Sequence, residues 1–438
     1  MATIDANPAS GTRDLLPDDV VRRERAFAAI RTTFAAHGFA PLETPAFERL
    51  EVLTGKYGEE GDQLIFKILR RGEHEASGDA DLALRYDLTV PLARVAARYG
   101  SQLPTPFKRY QIAPVWRADR PGKGRYREFY QCDVDTIGSD SLTADAATLV
   151  AVTDALGALG LDGFRVQLNS RKALRGLVEA YGIEVAREAD ALVALDKLDK
   201  IGLDGVATEL ADRDVPATAI EALAADLSAA DPAAAVRARL ERSEVGVEGL
   251  AEVDRVLALV GDAVPVSYAP VLARGLSYYT GPVFEVVHEG LDATIAAGGR
   301  YDGLIGMFQA NDVPATGGSL GLERILLLLE AAETAAAGPA GPDVLVTVMD
   351  DEGAADALSL SARLRATGAS VEPYSGGGRL KLAKQLRYAD RRGVRVAVLR
   401  GAEERAAATV TCKDLRSGEQ RTVPLADLET VIADLLDT

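Results

Sequence analysis

Three arginines of this 438-residue chain stand beside glycine or at the ends of strand-like segments: Arg117, Arg274 and Arg324. Arg274 opens Arg274-Gly275-Leu276-Ser277-Tyr278-Tyr279-Thr280-Gly281, and Arg324 closes Gly317-Gly318-Ser319-Leu320-Gly321-Leu322-Glu323-Arg324. A guanidinium stays charged and meets oxygen pairs with a planar fork, which suits the charge gathering around phosphorus in phosphoryl or adenylyl transfer. Removing one such preorganised donor typically costs ~10²–10³ in rate. Taken singly, each arginine also reads as a surface ion-pair partner.

Other chemistries are thinly served. His37, His74 and His288 share no helical spacing, and Cys132 and Cys412 have no metal-type spacing, which argues against zinc catalysis and Ser-His-Asp chemistry. No metal site is expected in the chain itself. The run Gly298-Gly299-Arg300-Tyr301-Asp302-Gly303 fits neither the dinucleotide fingerprint nor the P-loop. Gly376-Gly377-Gly378 precedes a helix start, where an anion could sit, but it lacks the P-loop lysine and serine and reads as a turn.

With 47% hydrophobic and 26% charged residues the composition is that of a globular protein, and the length suggests two or three domains. The net charge of −17 argues against general adhesion to nucleic acid or anionic membranes. Local charge is another matter. Seven basic residues lie between Phe107 and Arg127 (Lys108, Arg109, Arg117, Arg120, Lys123, Arg125 and Arg127), and eight between Arg379 and Arg400. Either island also reads as a solvated helix face. Paired cysteines are absent as a framework, no secretory signal is expected behind Asp5 and Asp14, and no apolar run approaches the ~18 residues of a membrane span, so a cytoplasmic protein is expected.

The elements that must position these residues follow from periodicity and punctuation. Pro17-Asp18-Asp19 starts a helix that Gly38 stops, and Phe39 to Pro45 is extended. Leu82–Tyr86, Phe107–Val115 and Phe129–Ile137 alternate as strands, the last two joined by the basic, glycine-bearing loop Arg120–Arg125. A helix covers Leu142–Leu159. From about Lys172 to Gly261 the composition turns helical, and Asp204 to Asp262 alone carries thirteen acids against five bases. Strand signals return at Val264–Val287. The stretch Ala331–Pro342 reads as a linker, after which strands and helices alternate as in a small parallel sheet.

The combination of motifs resembles a known family. Thr105 to Arg120 with Gly124-Arg125-Tyr126-Arg127-Glu128-Phe129-Tyr130-Gln131 is similar to motif 2 of class II aminoacyl-tRNA synthetases, Gly38 to Pro45 to motif 1, and Gly318 to Arg324 to motif 3. Arg274-Gly275-Leu276-Ser277-Tyr278-Tyr279 and Ala297-Gly298-Gly299-Arg300-Tyr301-Asp302 resemble the two histidine motifs of histidyl-tRNA synthetases. Leu84-Arg85-Tyr86-Asp87-Leu88-Thr89 and Asn169-Ser170-Arg171-Lys172 resemble the eukaryotic-like branch of that family. The likeness runs from about Gly11 to the C-terminus.

What the resemblance implies is specific. The fold class would be α+β: a class II catalytic domain on a largely antiparallel sheet (residues 1–172 and 262–332), a helical insertion (173–261), a linker (333–342) and a C-terminal α/β anticodon-binding domain (343–438). The activity would be histidine–tRNA ligation, with ATP and Mg2+, on tRNA(His), by a homodimer. Arg274 and Arg117 would be catalytic, and Arg117, Arg125 and Arg324 would bind ATP. Asp87, Thr89, Arg117, Gln131, Asp135, Arg274, Tyr278, Tyr279 and Tyr301 would form the L-histidine pocket. Lys123, Arg120 and Arg387 would meet tRNA. An ammonium needs carboxylate and carbonyl acceptors, and a site that hydrogen-bonds its substrate rejects isosteres by ~10⁴–10⁵, so no editing domain is expected. Ser277 departs from the acid common at its position, and Ala118 from bulkier residues. The rival reading is a non-catalytic histidine-binding regulatory subunit of ATP phosphoribosyltransferase, which would lack the anticodon module and arginines that are present here.

Overall fold

A computed structural model describes residues 4–437 apart from 71, 73–76, 274–277, 332–340 and 378–380. Arg274 with Ser277, His74, Arg379 and most of the expected linker therefore lie outside the described residues. The chain divides into two compact units, Met1–Asp14 with Arg23–Ala335 and Leu15–Arg22 with Ala336–Thr438.

In the larger unit the strands are β1 (Ala40–Pro41), β2 (Phe47–Arg49), β3 (Lys67–Leu69), β4 (Ala80–Leu84), β5 (Phe107–Trp116), β6 (Glu128–Ile137), β7 (Phe164–Ser170), β8 (Val266–Tyr268), β9 (Pro282–His288), β10 (Leu291–Arg300) and β11 (Ala315–Gly321). Eight of them form one sheet in the order β1-β5-β6-β11-β10-β9-β7-β8, and β2-β4-β3 form a small second sheet. The large sheet is antiparallel except for the outer pairs β1/β5 and β7/β8. Strict alternation makes β5 a strand buried on one face, as its sequence dictates. The extended stretch after Gly38 contributes only two residues to the sheet, because Pro41 and Pro45 limit the donors it can offer.

The glycine-rich run that fits neither nucleotide-binding fingerprint begins inside the sheet. Gly298 and Gly299 are residues of β10, facing Gly318 and Gly317 of β11. Helices cover the opposite face. The helix Leu142–Ala158 is capped by the Ser141 hydroxyl, which accepts from Thr143 N, and ends at Gly160 with φ +76°. Its Leu149, Val152 and Leu156 pack with Val134, Phe284, Val286, Ile295 and Leu320 of the sheet and with Phe27, Ile30 and Phe34 of the first helix. Each such side chain contributes roughly 1.5–3 kcal/mol by burial.

Residues 171–260 are helical and hold a core of their own around Leu174, Leu177, Leu195, Leu210 and Leu240. Helices Arg171–Ala180 and Glu244–Val260 cross so closely that a Cβ on Gly176 would lie 2.2 Å from Gly246 Cα. The second of these helices also sends Val253, Val256 and Val260 into the core beneath the large sheet.

The smaller unit is a five-stranded sheet of order β13-β12-β14-β15-β16, from β12 (Val344–Val346), β13 (Val371–Pro373), β14 (Val396–Leu399), β15 (Thr409–Asp414) and β16 (Gln420–Pro424). The first three are parallel, as the alternation of strand and helix predicts, and a C-terminal antiparallel pair extends them. Among the described residues no helix is long and apolar enough to cross a membrane.

Candidate functional site

Strand β6 turns a polar stripe away from the helices. Gln131, Asp133 and Asp135 alternate along it, so period-2 geometry places all three on one face. They line a cavity of about 260 Å³ together with Asp87, Thr89, Arg117, Tyr278, Tyr279, Glu285, Tyr301, Ser319 and Arg324. The structure thus brings together the expected Asp87, Thr89, Arg117, Gln131, Asp135, Tyr278, Tyr279, Tyr301 and Arg324.

The floor is bare backbone. A Cβ on Gly317 would lie 1.9 Å from Asp135 Oδ1, and one on Gly298 would lie 2.2 Å from the Gly317 carbonyl oxygen. Only glycine permits this approach of two strands and a carboxylate. The walls are aromatic: Tyr278 packs edge-on against Tyr279 at 5.2 Å and Tyr301 at 5.9 Å between ring centroids.

The acids are held one by one. Asp135 accepts from the Tyr301 hydroxyl and pairs through Oδ2 with Arg109 at 2.8 Å, both partners being almost fully buried. Asp87 Oδ1 accepts from Tyr57 Oη (3.1 Å) and Val90 N (3.0 Å). Burial raises the Asp87 carboxyl above its ordinary range, against the pull of the Val90 hydrogen bond and Arg117. Burial raises Asp135 too, against Arg109. Asp133 is pushed up to about 7, first by burial and then by Asp135 and Asp87, with Arg109 and the Ser319 hydroxyl opposing. Buried acceptors without a hydrogen-bond partner include Asp87 Oδ2, Gln131 Oε1 and Asp133 Oδ1. Such atoms are costly unless a ligand satisfies them.

Arg117 marks the mouth. Its Nε donates to the Tyr86 carbonyl at 3.0 Å, and its guanidinium lies 4.3 Å from the Tyr86 ring and 5.1 Å from the Phe129 ring. This pins the plane of the group. Arg117, Phe129, Gly321 and Arg324 also border a second, adjoining cavity of about 320 Å³ that includes Arg125 and Glu323. Arg125 pairs with Asp119 at 2.8 Å, and Arg324 Nη1 donates to the Thr294 carbonyl at 2.6 Å. Glu323 accepts from Tyr130 N, which ties the helix Leu322–Ala331 to β6.

Lys123 and Arg120 lie exposed on the turn between β5 and β6, outside both cavities. Arg387 is exposed in the smaller unit, on the helix Leu382–Arg391. Arg109, Asp133, Glu285 and Ser319 were not singled out from sequence. The alternation Gln131-Cys132-Asp133-Val134-Asp135 was the available signal for Asp133, since a polar face inside a buried strand needs a reason. Among the described residues no group of three or more His, Cys, Asp or Glu is arranged to hold a metal ion.

A histidyl-tRNA synthetase family model matches residues 11–325, and an anticodon binding domain model matches residues 343–435. A histidine–tRNA ligase of Gloeobacter violaceus is 40% identical over 460 residues, spanning 97% of this chain and 98% of its own. One from Christiangramia forsetii is 40% identical over 438 residues, spanning 94% and 95%. Among solved structures, a histidyl-tRNA synthetase from Nostoc sp. superposes with a TM-score of 0.81 at 32% identity, covering 99% of this chain and 100% of that one.

Proposed function

The chain belongs to the histidyl-tRNA synthetase family and ligates histidine to tRNA, and from that premise we propose how its residues divide the work. The reaction activates L-histidine with ATP to histidyl-adenylate and pyrophosphate, then transfers histidine to the 3′ end of tRNA(His).

In our reading the inner cavity takes histidine and the outer one ATP. Asp87, Thr89 and Gln131 receive the α-ammonium, whose three N–H donors match the open acceptors Asp87 Oδ2 and Gln131 Oε1. Asp135, Tyr278, Tyr279 and Tyr301 shape and read the ring end. Arg117, standing where the two cavities meet, holds the substrate carboxylate against the α-phosphate, and Arg274 stabilises the phosphoryl charge during in-line attack. No general base is needed, because a carboxylate is already a nucleophile at neutral pH. Arg324 and Arg125 bind the outer phosphates. The observation that carries this reading is the gathering of nine expected residues on one cavity that opens, at Arg117, into an arginine-bearing second one.

Mg2+ would arrive with the ATP. Such an ion would be held mostly by phosphate oxygens and water. Lys123 and Arg120 would meet the acceptor end of tRNA and Arg387 the anticodon end, with strongly salt-dependent affinity. We assign residues 1–172 and 262–332 to the catalytic core, 173–261 to an insertion, 333–342 to a linker and 343–438 to the anticodon-binding domain. A cytoplasmic homodimer is the expected form.

Amino-acid-dependent ATP–pyrophosphate exchange tests the assignment, with all twenty amino acids screened and Arg274→Ala compared. Exchange with histidine alone, reduced by ~10²–10³ in Arg274→Ala, is the expected result. Undiminished exchange in that variant would remove Arg274 from the chemistry.

A further inference from the structure

The turn between β5 and β6 leaves the sheet through Arg117 and returns through Arg125, and its base is fastened from outside the hairpin. Arg127 is the joint. Its N–H donates to the Gly11 carbonyl at 2.8 Å, and its own carbonyl accepts from Arg117 N at 2.9 Å. The side chain repeats the connection: Nε donates to the Asp119 carbonyl and Nη1 to the Ser10 carbonyl, both at 3.1 Å. Asp119 in turn holds Arg125 through its carboxylate at 2.8 Å. Two backbone hydrogen bonds therefore lead from Gly11 to Arg117, and a guanidinium and a carboxylate lead from Ser10 to Arg125.

The fit of residues 10–13 against the turn is close. Gly11 has φ +83°, and a Cβ there would lie 2.8 Å from Arg127 Cγ and Cδ and 2.9 Å from Pro121 Cγ. Conformation and space both call for glycine. Thr12 closes the segment on itself, its N–H and its hydroxyl both donating to the Ala9 carbonyl. Arg13 adds a second hold: its guanidinium lies 4.2 Å from the Tyr126 ring centroid and donates to the Tyr126 hydroxyl at 3.2 Å. Tyr126 lines the outer cavity beside Arg125, whereas Arg13 and Arg127 line neither cavity.

We propose that residues 10–13 form a positioning strap for the outer cavity: through Arg127 they set where Arg117 and Arg125 present their guanidinium groups, and through Arg13 they hold the Tyr126 wall. The inference rests on the assignment of the outer cavity to ATP. Arg13 and Arg127 are positioning residues, acting through groups that meet the substrate. A displacement of about 1 Å at a reacting centre costs on the order of 10²-fold in rate, so a strap that fixes two arginines acts on catalysis from outside both cavities. The inner carboxylates are held separately, by Arg109, Tyr57 and Tyr301. Loosening the strap is thus felt at the phosphates and in the chemical step before it is felt in the binding of histidine alone.

ATP–pyrophosphate exchange on the full chain, paired with calorimetric binding of L-histidine without ATP, tests this. Arg127→Ala should lower kcat about tenfold or more and raise KM for ATP by a similar factor, while the dissociation constant for histidine alone changes less than about threefold. Gly11→Ala should do the same, and the double variant should be no worse than the poorer single one, because both break one path. Additive losses, equal losses for both substrates or unchanged constants overturn the proposal. Should those variants fail to fold, Arg13→Ala decides, since it alters an exposed side chain. Its KM for ATP should rise about threefold, and an unchanged value overturns the proposal. Arg324→Ala tests the underlying reading separately, because it removes a guanidinium assigned to the phosphates. An unchanged KM for ATP in that variant would overturn the placement of ATP, and the strap's role with it.

Discussion

In the inner cavity Asp87, Asp133 and Asp135 are at most 2% exposed, whereas in the outer one the Arg125 side chain is 56% exposed. The inner carboxylates are fixed by buried partners and partly unsatisfied, whereas the outer cavity adds Arg125, longer and closer to water, to Arg117 and Arg324, which border both. This difference has a physical consequence. A buried acceptor left without a donor costs about 1–3 kcal/mol, so the inner end discriminates between ligands by what they fail to supply. An exposed guanidinium keeps its hydration and is screened by salt, so under the proposed assignment the outer end would attract phosphate without reading much detail.

The inner cavity depends most heavily on Arg109. Arg109→Leu leaves Asp133 and Asp135 buried without a cation, and should destabilise the fold by about 3–5 kcal/mol in urea unfolding. A loss under about 1 kcal/mol would mean the inner carboxylates are protonated and need no counter-ion. Next in size, Arg117→Ala should lower kcat for pyrophosphate exchange by ~10²–10³, because it removes a pinned donor shared by both cavities. A change confined to KM would make Arg117 a binding group only.

Tyr301→Phe deletes the hydroxyl that donates to Asp135. KM for histidine should rise about tenfold, which corresponds to ~1.4 kcal/mol, with KM for ATP untouched. If both constants rise together, the two cavities are coupled through β10.

A smaller effect concerns pH. The Asp133 carboxyl titrates at about 7 in the fold and at ~3.9 unfolded, so the native state binds the extra proton. Its contribution is fully present below about pH 4, declines as pH rises, and is gone above about 7. Ligand-free Asp133→Asn should therefore gain thermal stability over wild type at pH 8 and lose that advantage near pH 4. An advantage independent of pH would show that the wild-type carboxyl titrates in its usual range. The smallest change is expected at the exposed end, where Arg125→Ala breaks a pair with Asp119 worth ~0–1 kcal/mol and should leave unfolding almost unaltered.

Much of this was legible in the sequence where pattern and chemistry coincide. The hairpin β5/β6 announced itself by alternation on either side of a proline- and glycine-bearing loop, with Arg117 just past the end of β5 and Gln131 within β6. Gly298 and Gly299 were visible as a motif but not as strand, since glycine ordinarily weakens a strand and the reason for it here lies on the neighbouring strands, in Pro282, Val283 and Gly317. Arg109 was hidden for a related reason. Its importance comes from the register that sets it opposite Asp135, and register is a property of two strands together. The pair β15/β16 went unread because a short edge hairpin has only a few alternating residues to declare it.

The glycine floor limits how substrate scope could be remade. A pocket lined by side chains can be enlarged by trimming them, but Gly298 and Gly317 have nothing left to trim, and any addition collides with a carbonyl or with Asp135. Redesign toward bulkier amino acids must therefore cut into Tyr278, Tyr279 or Tyr301, three rings packed on one another, the last of which holds Asp135 in place. Broader acceptance and weaker recognition of the native substrate would come as one change.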